Sequence, residues 1–494
     1  MNTKNLINNR WVDSPSARTF ENRNPADTDD VIGAFPKSDE NDVDAAVLAA
    51  RAAFNAWRLT PAPARGEIIR RAGDLLAVRK DDIAHAMTRE MGKTLTETRG
   101  DVQEGIDTAY YAASEGRRLF GFNAPSELPD KMNLSFREPV GVWGVITAWN
   151  FPIAVPSWKI LPALVAGNTV VFKPSEESPH SANLFAECLL EAGLPAGALN
   201  IIHGKGEECG AALVAHPGVN GIAFTGSTEV GKHISAMASQ TLKRVSLELG
   251  GKNAQIVMDD ADRQLALEGV LWGAFGTTGQ RCTATSRLIL HEKIYDEFIN
   301  KLITRATTLK LGDGTKPATD VGPVITEKQL ERIERYVRLG KEEGAVCVLG
   351  GDRETNGACA RGWFYKPTIF IDVLPTMRIA REEIFGPVLS VLRASSLEEA
   401  VAMLNGTMYG LSASIYTRDI NMAMKAVREI ESGIVYVNGP TIGAEAHMPF
   451  GGVKQTGNGH REGGWTVFDI FTEWKTVYID YSGKLQKAQI DTEK

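Results

Sequence analysis

Cysteine is scarce in this chain of 494 residues, and its five copies (Cys188, Cys209, Cys282, Cys347, Cys359) form no CxxC pair. An odd number at wide spacing argues against a disulfide framework or a zinc site, and fits a reducing, cytoplasmic setting. No stretch of about 18 apolar residues runs unbroken, so no transmembrane helix is expected. Met1 to Trp11 is polar and lacks an apolar h-region, so no secretory signal is expected. Like charges never run five in a row and the net charge is −7. Nucleic acid and anionic membrane are therefore not expected as partners. The dinucleotide fingerprint GxGxxG is missing as well, and there is no internal repeat or low-complexity tract. What is present, 43% apolar and 23% charged residues, has the composition of a soluble chain of several domains.

The apolar positions Val43, Val47, Ala50 and Phe54 predict a helix over 42–57, capped by Asn41 or Asp42. Helical stretches follow over 65–78, 81–91 and 94–119, and a Gly/Pro/Asn-rich connection over 120–129. From Val140 the pattern changes. Strands are predicted at 140–147, 169–172, 199–203, 221–225 and 244–249, with helices of roughly ten residues between them, over 158–166, 181–192, 208–215 and 228–239. This alternation indicates βαβ units and a parallel sheet covered on both faces. Beyond Gly250-Gly251 a second set begins, with strands at 254–258, 287–290, 388–392, 414–416 and 433–437. Helices at 265–275, 327–343, 397–405 and 420–430 accompany it. Gly250-Gly251 is the natural boundary between the two sets. Thr472 to Asp480 alternates as a late strand, either donated to a partner subunit or capping an edge.

Several stretches carry chemistry. Gly279-Gln280-Arg281-Cys282-Thr283-Ala284 puts a cysteine on a Gly-rich connection between two buried elements, as a thiolate nucleophile or as a small apolar filler. A free thiol has a pKa of about 8.5, so only a few per cent is thiolate near neutrality. In Val245-Ser246-Leu247-Glu248-Leu249-Gly250-Gly251 the apolar residues share one strand face. Glu248 sits on the other, at the strand end, where partial burial would raise its pKa toward neutrality and suit it to general-base work. A structural ion pair is the competing reading. Phe224-Thr225-Gly226-Ser227-Thr228 joins a strand to a helix whose first amides favour an anion such as a pyrophosphate. Lys173-Pro174-Ser175-Glu176 ends another strand, where ligands of parallel sheets bind; taken alone, it reads better as a solvated turn. Ala148-Trp149-Asn150-Phe151-Pro152 offers an asparagine amide to an oxyanion, or simply a turn. Glu382-Glu383-Ile384-Phe385-Gly386-Pro387 and Pro449-Phe450-Gly451-Gly452-Val453-Lys454 are not diagnostic singly.

Together and in this order, these stretches resemble the aldehyde dehydrogenase superfamily from about Asn8 to Ile479. The resemblance implies an α/β fold: a Rossmann-like dinucleotide-binding domain, a second α/β catalytic domain and a small β oligomerisation element. It divides the chain into residues 1–118 and 140–249 for the cofactor and 250–449 for catalysis. Residues 450–475 return onto the cofactor domain, and 119–139 with 476–494 form the bridging element. It implies Cys282 as nucleophile, Glu248 as base, Asn150 and the Cys282 N–H as oxyanion donors, and Lys159 in the catalytic region. Lys173 and Glu176 match adenosine-ribose contacts, Gly226 and Ser227 the pyrophosphate turn, and Glu383 and Phe385 the nicotinamide-ribose contacts. Trp149, Thr147 and Gly206 complete the cofactor set. No metal is implied. Glu176 would bond a ribose 2′-hydroxyl and repel a 2′-phosphate, favouring NAD, with NADP as the alternative because Lys173 stands beside it.

Arg281 either attracts a substrate carboxylate or forms a structural ion pair. With Thr283 and the Gly443-Ala444 loop it makes up the substrate set that the resemblance implies. The Gly-Gln-Arg-Cys run and the Ile-Gly-Ala-Glu loop are similar to those of semialdehyde dehydrogenases, with 2,5-dioxopentanoate as lead substrate. Aminoadipate, succinate and glutarate semialdehydes and a broad aldehyde range are the alternatives. A CoA-acylating relative and a non-catalytic protein that kept the fold are the rivals; Glu248 argues against the first, and Cys282, Glu248 and Asn150 together against the second. A cytoplasmic homodimer or homotetramer is expected.

Overall fold

The structure, a computed structural model, describes residues 1–490; the last four residues of the expected bridging segment 476–494 lie outside it. Two seven-stranded sheets and a small three-stranded one organise the chain. In the first sheet the strands run in the order Arg244–Glu248, Gly221–Thr225, Val142–Ile146, Thr169–Lys173, Leu199–Ile201, all parallel. An antiparallel ribbon, Asn5–Ile7 and Arg10–Val12, closes its edge. Side chains alternate between two cores. Trp143 and Val145 pack with Ile160 and Leu164 on one face, and Val142 and Ile146 pack with Leu213 and Ile222 on the other. Both faces are dry, which is why these strands read as continuous apolar runs.

Strand order reverses beside Val142–Ile146. The chain steps outward to Thr169–Lys173 and Leu199–Ile201, then returns to Gly221–Thr225 on the opposite side. At such a switch point the loops at the carboxyl ends part and leave a crevice. Thr147 to Asn150 and Gly226-Ser227 are those loops.

The second sheet has the order Val346–Leu349, Thr368–Ile371, Val388–Ala394, Arg287–His291, Ala254–Val257, Ser412–Tyr416, Ile434–Val437. Only Val346–Leu349 is antiparallel. The first sheet ends its sequence at Glu248 and the second starts at Ala254, on either side of Gly250-Gly251. The third sheet pairs Thr472–Asp480 with Lys131–Pro139, and that strand with Asn123–Pro125.

Three details differ from the sequence reading. The helix Glu40–Leu59 is capped by Asp39, not by Asn41 or Asp42. Asp39 accepts from the Asn41 N–H at 3.0 Å while Asp42 accepts from the Asp39 N–H at 3.1 Å, so Asp42 is the far end of a capping box. The connection over 120–129 contains the strand Asn123–Pro125. The helix carrying Lys159 starts at Ala154, four residues before its expected start at 158. Pro156 is tolerated in its first turn, and buried Asp101 accepts from the Ala154 N–H at 2.7 Å.

Candidate active site

A cavity of about 180 Å³ opens at the switch point and is lined by Trp149, Asn150, Gly226, Ser227, Cys282, Glu383 and Phe385 among others. The two α/β sets both contribute to it. The first presents the loops after Ile146 and Thr225; the second presents the cysteine loop and the turn before Val388.

Cys282 is half-buried. Asn253 Nδ2 donates to its carbonyl at 2.7 Å and to that of Ala284 at 2.9 Å, fixing the loop beside the sheet. A Cβ at Gly251 would lie 2.7 Å from the Cys282 oxygen, so the close approach requires glycine there. Burial pushes the thiol up to about 12, and the carboxylates of Glu248 and Glu383 add to the shift. The few per cent of thiolate expected of a free cysteine therefore does not apply; this thiol needs a base.

Glu248 ends the strand Arg244–Glu248 and is buried. Neither of its carboxylate oxygens has a hydrogen-bond partner among the described residues. Burial raises its pKa to about 8, against the opposing pull of Lys159 and Arg461. A buried carboxyl left without donors is costly to structure and useful to chemistry. Gly451 approaches it so closely that a Cβ there would stand 2.6 Å from Glu248 Oε1.

Lys159 is fully buried on the helix Ala154–Ala166 and its ammonium donates to Glu462 Oε1. Burial pulls its pKa below the ordinary lysine range, while Glu248 and Cys282 pull the other way. Glu462 was not singled out in the sequence. It lies in a Gly-rich turn whose backbone pairs with Phe450, and nothing local marks it.

Of the residues expected to hold the cofactor, Ser227 Oγ accepts from the Val230 N–H at 3.3 Å and caps the helix Thr228–Ser239, aiming that helix start at the cavity. Glu383 Oε1 accepts from the Gly251 N–H at 3.0 Å. Phe385 sits in the left-handed region, φ +63°, with its ring edge-on to Trp149 at 5.4 Å. Gln329 holds that turn, donating to the carbonyls of Ile384 at 3.0 Å and Phe385 at 2.7 Å. Arg332, one helical turn on, donates to the Glu383 carbonyl. Gln329 and Arg332 also line the cavity and carry no sequence signal beyond lying on the polar face of the helix Glu327–Glu342. Thr225 Oγ1 and Arg332 Nε are buried without hydrogen-bond partners among the described residues.

Lys173, Glu176 and Gly206 lie elsewhere along the same sheet edge. The Lys173 ammonium donates to the carbonyls of Pro174 and Gly204 at 2.8 Å each and to Glu176 at 3.4 Å. An ammonium has three donors, so Lys173 is a clamp joining two loops. Thr147 is buried, its N–H donating to the Lys173 carbonyl at 3.4 Å.

Of the residues expected to meet the substrate, Ala444 packs with Cys282, Trp158, Leu411, Ile434 and Phe450 in a small apolar cluster. Thr283 accepts through its carbonyl from Thr441 Oγ1 at 2.7 Å. Gly443 has φ +127° and open space around it. Arg281 is already engaged: its guanidinium meets Glu97 at 3.4 Å and Thr277 Oγ1 at 2.8 Å, with the Trp272 ring 4.7 Å away. This geometry favours the ion-pair alternative for Arg281. Among the described residues no cluster of three or more His, Cys, Asp or Glu is placed to hold a metal, and no helix is long and apolar enough to cross a membrane.

Residues 11–477 match the model of the aldehyde dehydrogenase family. The chain is 45% identical over 480 residues to an alpha-ketoglutarate semialdehyde dehydrogenase of Haloferax volcanii, covering 97% of this chain and 99% of that one. It is 43% identical over 475 residues to an alpha-ketoglutaric semialdehyde dehydrogenase of Bacillus subtilis, covering 96% and 97%. Among solved structures, a betaine aldehyde dehydrogenase of Staphylococcus aureus in complex with NAD+ superposes with a TM-score of 0.96 at 34% identity, covering 98% of this chain and 96% of that one.

Proposed function

Because this chain belongs to the aldehyde dehydrogenase family, we propose that it is an enzyme that oxidises an aldehyde to the carboxylic acid with NAD, its substrate a small semialdehyde bearing a carboxylate, 2,5-dioxopentanoate foremost. The observation that carries this reading is the meeting of a cysteine thiol and an asparagine in one switch-point cavity, with a buried unpartnered carboxylate, Glu248, near enough to act electrostatically on that thiol. The two semialdehyde dehydrogenase relatives support the substrate class.

The cavity fits the nicotinamide half of NAD. Thr225 Oγ1 and Arg332 Nε are buried polar atoms awaiting partners, Glu383 accepts from a ribose hydroxyl, and Trp149 and Phe385 flank the ring. Glu176 takes the other ribose, which favours NAD over NADP. Residues 1–118 and 140–249 form the cofactor domain, 250–449 the catalytic domain, and 450–475 return to the cofactor side.

Glu248, as carboxylate, accepts the Cys282 proton while the sulfur bonds to the aldehyde carbon. The resulting oxyanion takes hydrogen bonds from Asn150 Nδ2 and the Cys282 N–H. NAD held by these residues would supply the hydride acceptor: the sulfur-bound carbon gives up its hydrogen as hydride while the oxyanion re-forms C=O, leaving a thioester. Glu248 loses the first proton to solvent and takes another from water as the water oxygen bonds to the acyl carbon; the carbon–sulfur bond then breaks and Glu248 returns that proton to the leaving sulfur, releasing acid and thiol. Lys159, anchored by Glu462, supplies the cation that keeps Glu248 ionisable. Trp158, Leu411, Phe450 and Ala444 hold the aldehyde chain in the apolar cluster, and Gly443 offers backbone space for its far carboxylate.

The enzyme assembles as a homodimer or homotetramer in the cytoplasm. The three-stranded sheet supports assembly between copies, because Trp474 and Tyr478 lie exposed on it and Phe122 beside it. A panel of semialdehydes and simple aldehydes with NAD and NADP, ranked by kcat/KM, tests the reading. NADH formation without CoA, fastest on the carboxylate-bearing semialdehydes, is the expected outcome. Silence across the panel overturns it, and an absolute need for CoA replaces it by acyl transfer.

A further inference from the structure

The loop before Cys282 adopts a backbone its side chains resist. Thr277 and Thr278 both lie in the left-handed region, with φ +52° and +57°. For β-branched residues this is a genuine outlier. Both are buried, so the turn cannot relax outward into solvent. Gly279 then passes so close to Gly386 that a Cβ would stand 2.2 Å from its carbonyl oxygen. The turn needs an external restraint.

Glu97 provides one. It stands in the first turn of the helix Leu95–Glu115, and Oε2 accepts from the N–H and Oγ1 of Thr94 at 3.0 Å each. Oε1 points away from that helix. It accepts from the Thr277 N–H at 2.5 Å, from Thr277 Oγ1 at 3.3 Å and from the Arg281 guanidinium at 3.4 Å. Arg281 Nε donates back to Thr277 Oγ1 at 2.8 Å, so one carboxylate grips both ends of the turn that leads into Cys282. Its side chain is 3% exposed. The helix is itself fixed, because Leu95 N–H donates to the Gly314 carbonyl at 2.9 Å and Asp101 accepts from the Ala154 N–H.

We infer that Glu97 is a positioning residue for Cys282: by holding the Thr277 N–H and Arg281 it keeps the strained turn in place and aims the sulfur. This rests on reading Cys282 as the nucleophile. Glu97 touches neither the cavity nor the sulfur. Arg281 is then a strut of the same device, braced between Glu97 and the rings of Trp272 and Phe151.

The test uses the full-length enzyme and follows the NADH burst with 2,5-dioxopentanoate, alkylation of Cys282 by iodoacetamide, NAD Kd and Tm. Glu97→Gln keeps the size but turns an amide N–H₂ toward a donor at one end. Burst and alkylation rates are expected to fall about 10- to 100-fold, the effect of roughly 1 Å of misplacement, with NAD Kd within about twofold. Adding Thr277→Asn to Glu97→Gln is expected to recover part of that loss. Asparagine enters the left-handed region more readily and still accepts from Arg281, whereas loss of general stability would not be repaired this way. If Glu97→Gln does not fold, Glu97→Asp replaces it, since it keeps the Thr94 bonds and falls short of Thr277. Burst and alkylation rates within about twofold of wild type, or a loss that follows NAD Kd and Tm and is not rescued by Thr277→Asn, overturn the inference. A wild-type enzyme with no burst, or a burst in Cys282→Ala, overturns the nucleophile reading instead.

Discussion

Lys159 and Glu462, 303 positions apart in the chain, form an ion pair in which both side chains are almost completely buried. Glu248 acts electrostatically on the same lysine. Removing one member of a buried pair strands the other charge, at a cost of about 3–5 kcal/mol. Lys159→Met is therefore expected to lose stability on that order in urea unfolding, and Lys159→Met with Glu462→Leu to regain most of it. Hydrolysis of the thioester stays slow in both, because Glu248 has lost its cation. Additive effects in the double-mutant cycle would dismiss the pairing.

The Glu248 carboxyl, at about 8, is protonated through most of the neutral range. Turnover limited by thioester hydrolysis is expected to rise with pH and level off above about 8, an apparent value shared with Lys159. The stability sign is opposite. A folded-state pKa raised above the unfolded value of about 4.3 stabilises the fold below that value, and the contribution is lost as pH rises through about 8. Glu248→Gln should then gain Tm relative to wild type between pH 6 and pH 9. A Tm difference constant across that interval would contradict the burial.

Cys282→Ala is expected to abolish turnover and leave NAD affinity intact, read by calorimetry. Asn150→Ala keeps the thiol, so iodoacetamide still labels Cys282, while kcat falls by about 10²–10³ for loss of one oxyanion donor. Near-wild-type oxidation by either variant would remove that residue from the mechanism.

Gln329→Leu frees the carbonyls of Ile384 and Phe385. Each unsatisfied buried acceptor costs about 1–3 kcal/mol, and Gln329 is the side chain that donates to the left-handed Phe385. KM for NAD is expected to rise about tenfold or more, with the alkylation rate of Cys282 unchanged. A normal KM for NAD would show that the Phe385 turn holds itself.

Much of this was legible in the sequence because local pattern carried it. The alternation after Val140 places Gly221–Thr225 and Thr228–Ser239 at their observed limits, and Glu248 falls on the strand face opposite Leu247. Glu462 was not legible, since only the folded chain brings it to Lys159. The same holds for Arg281, whose partner Glu97 is 184 positions away. Gln329 and Arg332 look like any polar helix face until the Phe385 turn is laid against them. The helix Tyr295–Ala306 and the ribbon Asn5–Val12 went unread, although Asn8 and Asn9, both at positive φ, are the residue type that tight hairpins favour.

That ribbon has a practical consequence. It covers the outer edge of Leu199–Ile201, which would otherwise present unpaired backbone groups. A truncation that removes the first dozen residues bares a short apolar edge, the kind of template on which chains aggregate. An added segment is harmless by comparison, because Met1 already projects into solvent. Expression trials should therefore extend this terminus and never trim it.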